Sequence, residues 1–175
     1  MLHRRMKLAT AGCMVIAAGV ILTSAILISQ RQQDNARLLC QGYLKAIYDT
    51  MLLYINEHDG RFPKDFDDLD VASDGGILSI ATCPGVHPGK PNWNTKQHIV
   101  DYIYLSWGFD KQPKSREEYK EYANYPVLYE RRLNHHGSPG MNVITLDRKV
   151  FWDPDGKWLK GFAATHPDIK IPMPY

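Results

Sequence analysis

Two cysteines and a histidine carry most of the reactive chemistry in this sequence. Cys40 falls within a helical pattern, and Cys83 within the loop Ala81-Thr82-Cys83-Pro84-Gly85. Thiols so placed either close a disulfide or lie buried and free. A bridge would close a loop of roughly 44 residues and contribute about 4 kcal/mol in the chain-entropy model. It would also tether the turn-rich stretch that follows the helix. Both alternatives stay open on the residues alone. A metal centre is not expected: the two cysteines lie far apart without a Cys-x-x-Cys, and His3, His58, His87, His98 and His166 are scattered singly. Cys13 lies in an apolar run and reads as a small filler.

His136 sits in Asn134-His135-His136-Gly137-Ser138-Pro139-Gly140. A hydrolase would need a nucleophile beside it and an acid to orient it, and Ser138 and Asp147 are the formal candidates. No Gly-x-Ser-x-Gly elbow supports them. The expected role of Asn134, His136, Gly137, Gly140 and Asp147 is therefore structural: glycines permit tight turns, and an imidazole can bond carbonyls across a hairpin. No catalytic residue, cofactor or small-molecule substrate is expected. Asp153-Pro154-Asp155-Gly156 resembles half of a calcium loop but lacks the remaining ligands, so a plain turn is the simpler reading. Trp107, Trp152 and Trp158 with ten tyrosines could form a sugar-binding face, although packing accounts for most of them.

The elements that position these residues begin with a long helix. Arg4, Arg5 and Lys7 precede Leu8 to Ser29, a stretch without a charged residue. At the helical rise it measures roughly 33 Å, a bilayer core's thickness. It predicts a basic N-terminus over 1–7, a membrane span over 8–29 with the N-terminus cytoplasmic, and an extracytoplasmic domain over 30–175. Setting the three leading cations aside leaves a near-balanced charge, so no nucleic-acid face is implied. Beyond Arg31, Cys40, Leu44, Ile47, Tyr48, Met51, Tyr54 and Ile55 share one third of a helix circumference and form a core-facing stripe. Leu38 and Leu53 are apolar exceptions on the other side, either chance surface leucines or an assembly face. Gly60 and Pro63 end the helix.

From Pro63 to Asn94 turn residues dominate, with a short helix expected at Phe66 to Asp70 and a brief strand at Ile77 to Ile80. The period then changes. Val100 to Leu105, Pro126 to Tyr129, Asn142 to Leu146 and Lys149 to Trp152 read as antiparallel strands, the last two joined at Asp147-Arg148. Lys111 to Tyr122 reads as a loop with one helical turn, and Ile169 to Tyr175 as an extended tail. The fold class is α+β: a long N-terminal helix, half transmembrane and half amphipathic, packed on a sheet of three to four strands.

The order of these parts is that of a known group. A membrane helix runs into Cys40 to Ile47, then Tyr54 to Pro63, Cys83-Pro84, Tyr102 to Leu105 and Asn134 to Asp147. This resembles the bacterial prepilin-like proteins related to type II secretion pseudopilins, in the group that ends in a histidine, a spacer and Asp-Gly before a strand. The resemblance implies a non-enzymatic structural protein of the inner membrane whose partners are other pilin-like subunits or envelope secretion components. The rival class is a membrane-tethered binding module outside any filament. Gly12 is followed by Cys13-Met14-Val15-Ile16-Ala17, without the aromatic and the glutamate of the family's processing site. Arg148 also stands where the group has glycine.

Overall fold

The computed structural model describes residues 2–72, 76–83, 101–105, 116–133 and 136–175, with only the helical backbone over 2–18. The chain divides into two units, Met1–Asn35 and Ala36–Tyr175. Helix α1, Leu2–Glu57, runs through both. In the first unit Thr23 Oγ1 and Ser24 Oγ donate back to the carbonyls of Gly19 (3.0 Å) and Val20 (2.8 Å), which satisfies both hydroxyls within the helix.

The membrane span expected over residues 8–29 is not borne out. Among the described residues no helix is long and apolar enough to cross a membrane. The inner-membrane placement with an extracytoplasmic domain falls with it.

In the second unit the expected stripe is the core. Cys40, Leu44, Ile47, Tyr48 and Met51 are buried, and Tyr54 and Ile55 half-buried. The helix stops where Asp59 (φ 53°) and Gly60 (φ 83°) turn left-handed, and Gly60 N–H returns to the Ile55 carbonyl at 2.7 Å. Helix α2, Phe66–Ala72, starts where the Asp65 carboxylate accepts the N–H groups of Asp67 (3.0 Å) and Asp68 (3.1 Å). Ile77–Ile80 is a helical turn, α3, where a strand was expected. Among the described residues it has no strand partner, and the Ala81 N–H bonds to the Ile77 carbonyl while Ile77 enters the core. A later helical turn, α4, spans Arg116–Glu121. Val100, Lys111 and Trp107 lie outside the described residues.

Four strands, β1 Tyr102–Tyr104, β2 Pro126–Glu130, β3 Met141–Thr145 and β4 Val150–Asp153, form an antiparallel sheet in chain order. Period-two alternation divides their side chains between two cores. Tyr102, Leu128 and Ile144 join the α1 stripe, whereas Tyr129, Met141 and Val143 gather round Leu159. Leu159 belongs to α5, Lys157–Thr165, a helix that the sequence analysis does not anticipate. Asp153 builds it: after a 3₁₀ turn at Pro154–Gly156, its carboxylate accepts the N–H groups of Trp158 (2.8 Å) and Leu159 (3.0 Å). The tail then closes this second face, with Tyr129 Oη donating to the Pro172 carbonyl at 2.5 Å and Tyr175 N–H to that of Arg131 at 3.2 Å. With both faces covered, every residue of β2 and β3 is buried.

At the β3–β4 turn Arg148 takes φ 67°, as the glycine preference of that place anticipates, and reaches Asp49 of α1 at 2.6 Å. Gly140 is the tightest point. At φ 140° a Cβ there would meet the Trp152 ring at 2.5 Å. Gly140→Ala is expected to lower the unfolding free energy by about 2–4 kcal/mol through strain and overpacking, measured by urea titration. Asp153→Ala, which strips the α5 cap, should cost about 1–2 kcal/mol in the same assay.

Candidate functional site

One row of side chains crosses the sheet beneath α1. Tyr102 lies opposite Glu130, and Asn142 opposite Trp152. Glu130 shares the inward parity of Leu128, so a carboxylate that alternation would seal from water ends β2 with no exposure at all. Cys40 stands one helical turn before Leu44, over this row. Cys83 follows α3 in a loop held by Asp101, whose carboxylate accepts the Cys83 N–H at 2.8 Å. His136 comes from the β2–β3 connection, where Gly137 turns left-handed at φ 71°.

These elements bring Cys40, Cys83, Glu130 and His136 together, all buried, with one nitrogen, oxygen or sulfur atom of each within 4.8 Å of the others. His136 Nε2 is 2.8 Å from Glu130 Oε1 and 3.9 Å from Cys83 Sγ. Asn142 completes the carboxylate's shell: its N–H donates to Oε2 at 2.8 Å and its Nδ2 to Oε1 at 2.9 Å. Asn142 is fixed in turn by α1, through Gln41 Nε2 at 3.0 Å and the Arg37 carbonyl at 3.3 Å. Arg37 also lies over the Trp152 ring at 5.3 Å, and that ring meets His136 edge-on at 5.9 Å.

Burial alone would depress the His136 imidazole. Its hydrogen bonds to Cys83 and Glu130, with the Glu130 charge, outweigh that and push it up to about 9. Contact with Cys83, then burial, raises the Cys40 thiol. Tyr102 is raised well above the usual phenol value by burial first and by the two neighbouring sulfurs next.

Of the residues singled out in the sequence, Cys40 and Cys83 meet as free thiols, and His136 joins them. Gly137 and Gly140 supply left-handed turns. Asp147 takes no part: it is exposed at the hairpin tip, accepting from Thr145 Oγ1 at 2.6 Å and Lys149 N–H at 3.2 Å. Asn134 lies outside the described residues. Ser138 is exposed, and Asp153 is committed to its cap. Leu38 and Leu53 are 58% and 59% exposed. Sequence reasoning missed Glu130, Asn142, Asp101 and Tyr102. The available signal was Glu130 itself, a charge at an inward position of an apolar strand. A second feature, a groove of about 430 Å³, runs past Phe66, Tyr104, Arg131 and Tyr175.

Two sulfurs, an imidazole and a carboxylate, all buried, can hold protons or a cation. Truncating one partner leaves the others buried and unmatched. Glu130→Ala is therefore expected to destabilise the domain by about 3–5 kcal/mol, whereas Asp147→Ala at the exposed tip should cost under about 1 kcal/mol, both by denaturant unfolding.

No protein-family model matches this chain, and the comparisons with curated proteins and with solved structures return no match. They lend no support to the labels pseudopilin-like and type II secretion, which are set aside.

Proposed function

We propose that this is a non-enzymatic structural protein that assembles by packing α1 against a helix of a neighbouring subunit. The observation that carries the reading is apolar surface on that helix. Val20, Ile21, Leu22, Ile26, Leu27 and Ile28 are 50–70% exposed, and at 100° per residue they point all round the circumference. A helix apolar on every side is stable when something covers it. In the second unit Leu38, Leu39 and Leu53, each more than half exposed, fall within about 100° of arc. Gly42 and Ala46 lie in the same arc and are exposed, with open space around a Cβ added at Gly42. Leucines flanking small residues let a second helix approach closely. The buried cluster fits the same reading, since it ties segments together.

The groove beside Tyr104 and Arg131 favours a second reading, a binding module for a ligand with an apolar body and an anionic group. Sedimentation velocity separates the two. The native chain is expected to self-associate, and Leu38→Glu with Leu53→Glu to weaken association about tenfold or more with its unfolding temperature unchanged. A native chain that stays monomeric, or a variant that associates as tightly as native, overturns the assembly reading.

A further inference from the structure

We propose that Cys40, Cys83, Glu130 and His136 form a structural zinc site that staples α1, the loop after α3, the end of β2 and the β2–β3 connection together. The inference is independent of the assembly reading, because it rests on the inside of the domain and not on its surface.

Convergence is the first argument. Four side chains from four separate segments, each of a metal-ligating type, point one donor atom into a space where all lie within 4.8 Å of one another. A tetrahedral zinc ion bound at about 2.0 Å to nitrogen or oxygen and 2.3 Å to sulfur sets its ligands roughly 3.3–3.8 Å apart. The 3.9 Å between Cys83 Sγ and His136 Nε2 is already close to that spacing.

The donor set selects the ion. Two thiolates and an imidazole are too soft for calcium or magnesium, which take oxygen ligands. Two sulfurs, one imidazole and one carboxylate match neither the four cysteines nor the two cysteines and two histidines that hold iron–sulfur clusters. A closed set of four protein ligands, all buried, leaves no open position, which is the arrangement of a structural rather than a catalytic zinc.

The surroundings are built as a second shell. Asn142 holds both carboxylate oxygens of Glu130 through its N–H and Nδ2, and Asp101 fixes the Cys83 backbone. The Tyr102 hydroxyl, on a fully buried ring, faces the Cys40 sulfur. A metal-bound thiolate is the acceptor such a hydroxyl would meet, and outer donors of this kind are regular parts of zinc sites. Loading balances simply: both thiol protons, and the proton shared between His136 Nε2 and Glu130, leave to solvent as the ion enters. Two thiolates, one carboxylate and a neutral imidazole around a dication leave a single net negative charge.

The test uses the full chain, reduced, stripped with a chelator and titrated anaerobically with zinc alone. Expected are one equivalent bound, a raised unfolding temperature, protection of Cys40 and Cys83 from alkylation, and tetrahedral thiolate spectra when cobalt replaces zinc. Glu130→Gln, which keeps the side chain's shape and an amide oxygen for Asn142, should bind at least about tenfold more weakly. Cys40→Ser with Cys83→Ser should lose the equivalent. If the variants fold poorly, stoichiometry, alkylation and cobalt spectra of the native chain decide alone. A Cys40–Cys83 disulfide in the chain as purified, binding well below one equivalent, or zinc retained undiminished by the double serine variant overturns the proposal.

Discussion

A carboxylate buried without exposure at the end of a middle strand is the constraint round which this domain is arranged. Removing Glu130 from water carries a large desolvation cost, and that cost is met only if donors reach both oxygens. Asn142, one strand away, supplies two, and His136 a third. Each helper then needs its own support. Asn142 draws on Gln41 and the Arg37 carbonyl of α1, while His136 depends on the turn at Gly137. The Asn142 bonds make the seating of α1 on the sheet specific, where apolar packing of Leu44, Ile47 and Met51 alone would tolerate sliding.

The same constraint explains why the sheet is covered twice. A one-faced sheet would leave the backs of β2 and β3 in water and permit local opening near Glu130. Helix α5 and the C-terminal tail close that side, and their anchors are few and directional: the Asp153 cap, Tyr129 to Pro172, and the tail's pairing with Arg131 and Leu133. Gly140 lets the β2–β3 connection pass flat against Trp152, the ring that also flanks His136. Backbone permissiveness at one glycine is thus linked to the placement of the imidazole.

Legibility varied with the range of the determining forces. The α1 stripe, the stop at Gly60, helix α2 and the four strands follow from periods and caps readable within a dozen residues. Ile77–Ile80 misled because a run of four apolar residues suits a strand or a buried helical turn equally, and only a partner strand would have decided it. Helix α5 was missed although Trp158, Leu159 and Phe162 have helical spacing, since its start depends on a carboxylate reaching forward from β4. The span over 8–29 was read from hydropathy, and the described helix is not apolar over sufficient length to cross a membrane.

By itself, then, the sequence determined α1 and its buried stripe, α2, the four strands and the presence of two thiols. Tertiary structure alone decided that those thiols meet His136 and Glu130. Local periodicity states which way a side chain faces, but not which distant side chain it faces. That depends on strand register and on how α1 seats across the sheet, both set by packing between segments far apart in the chain. The spacing of Cys40 and Cys83 along the backbone does not report their meeting with His136 and Glu130, which is a property of distances in space.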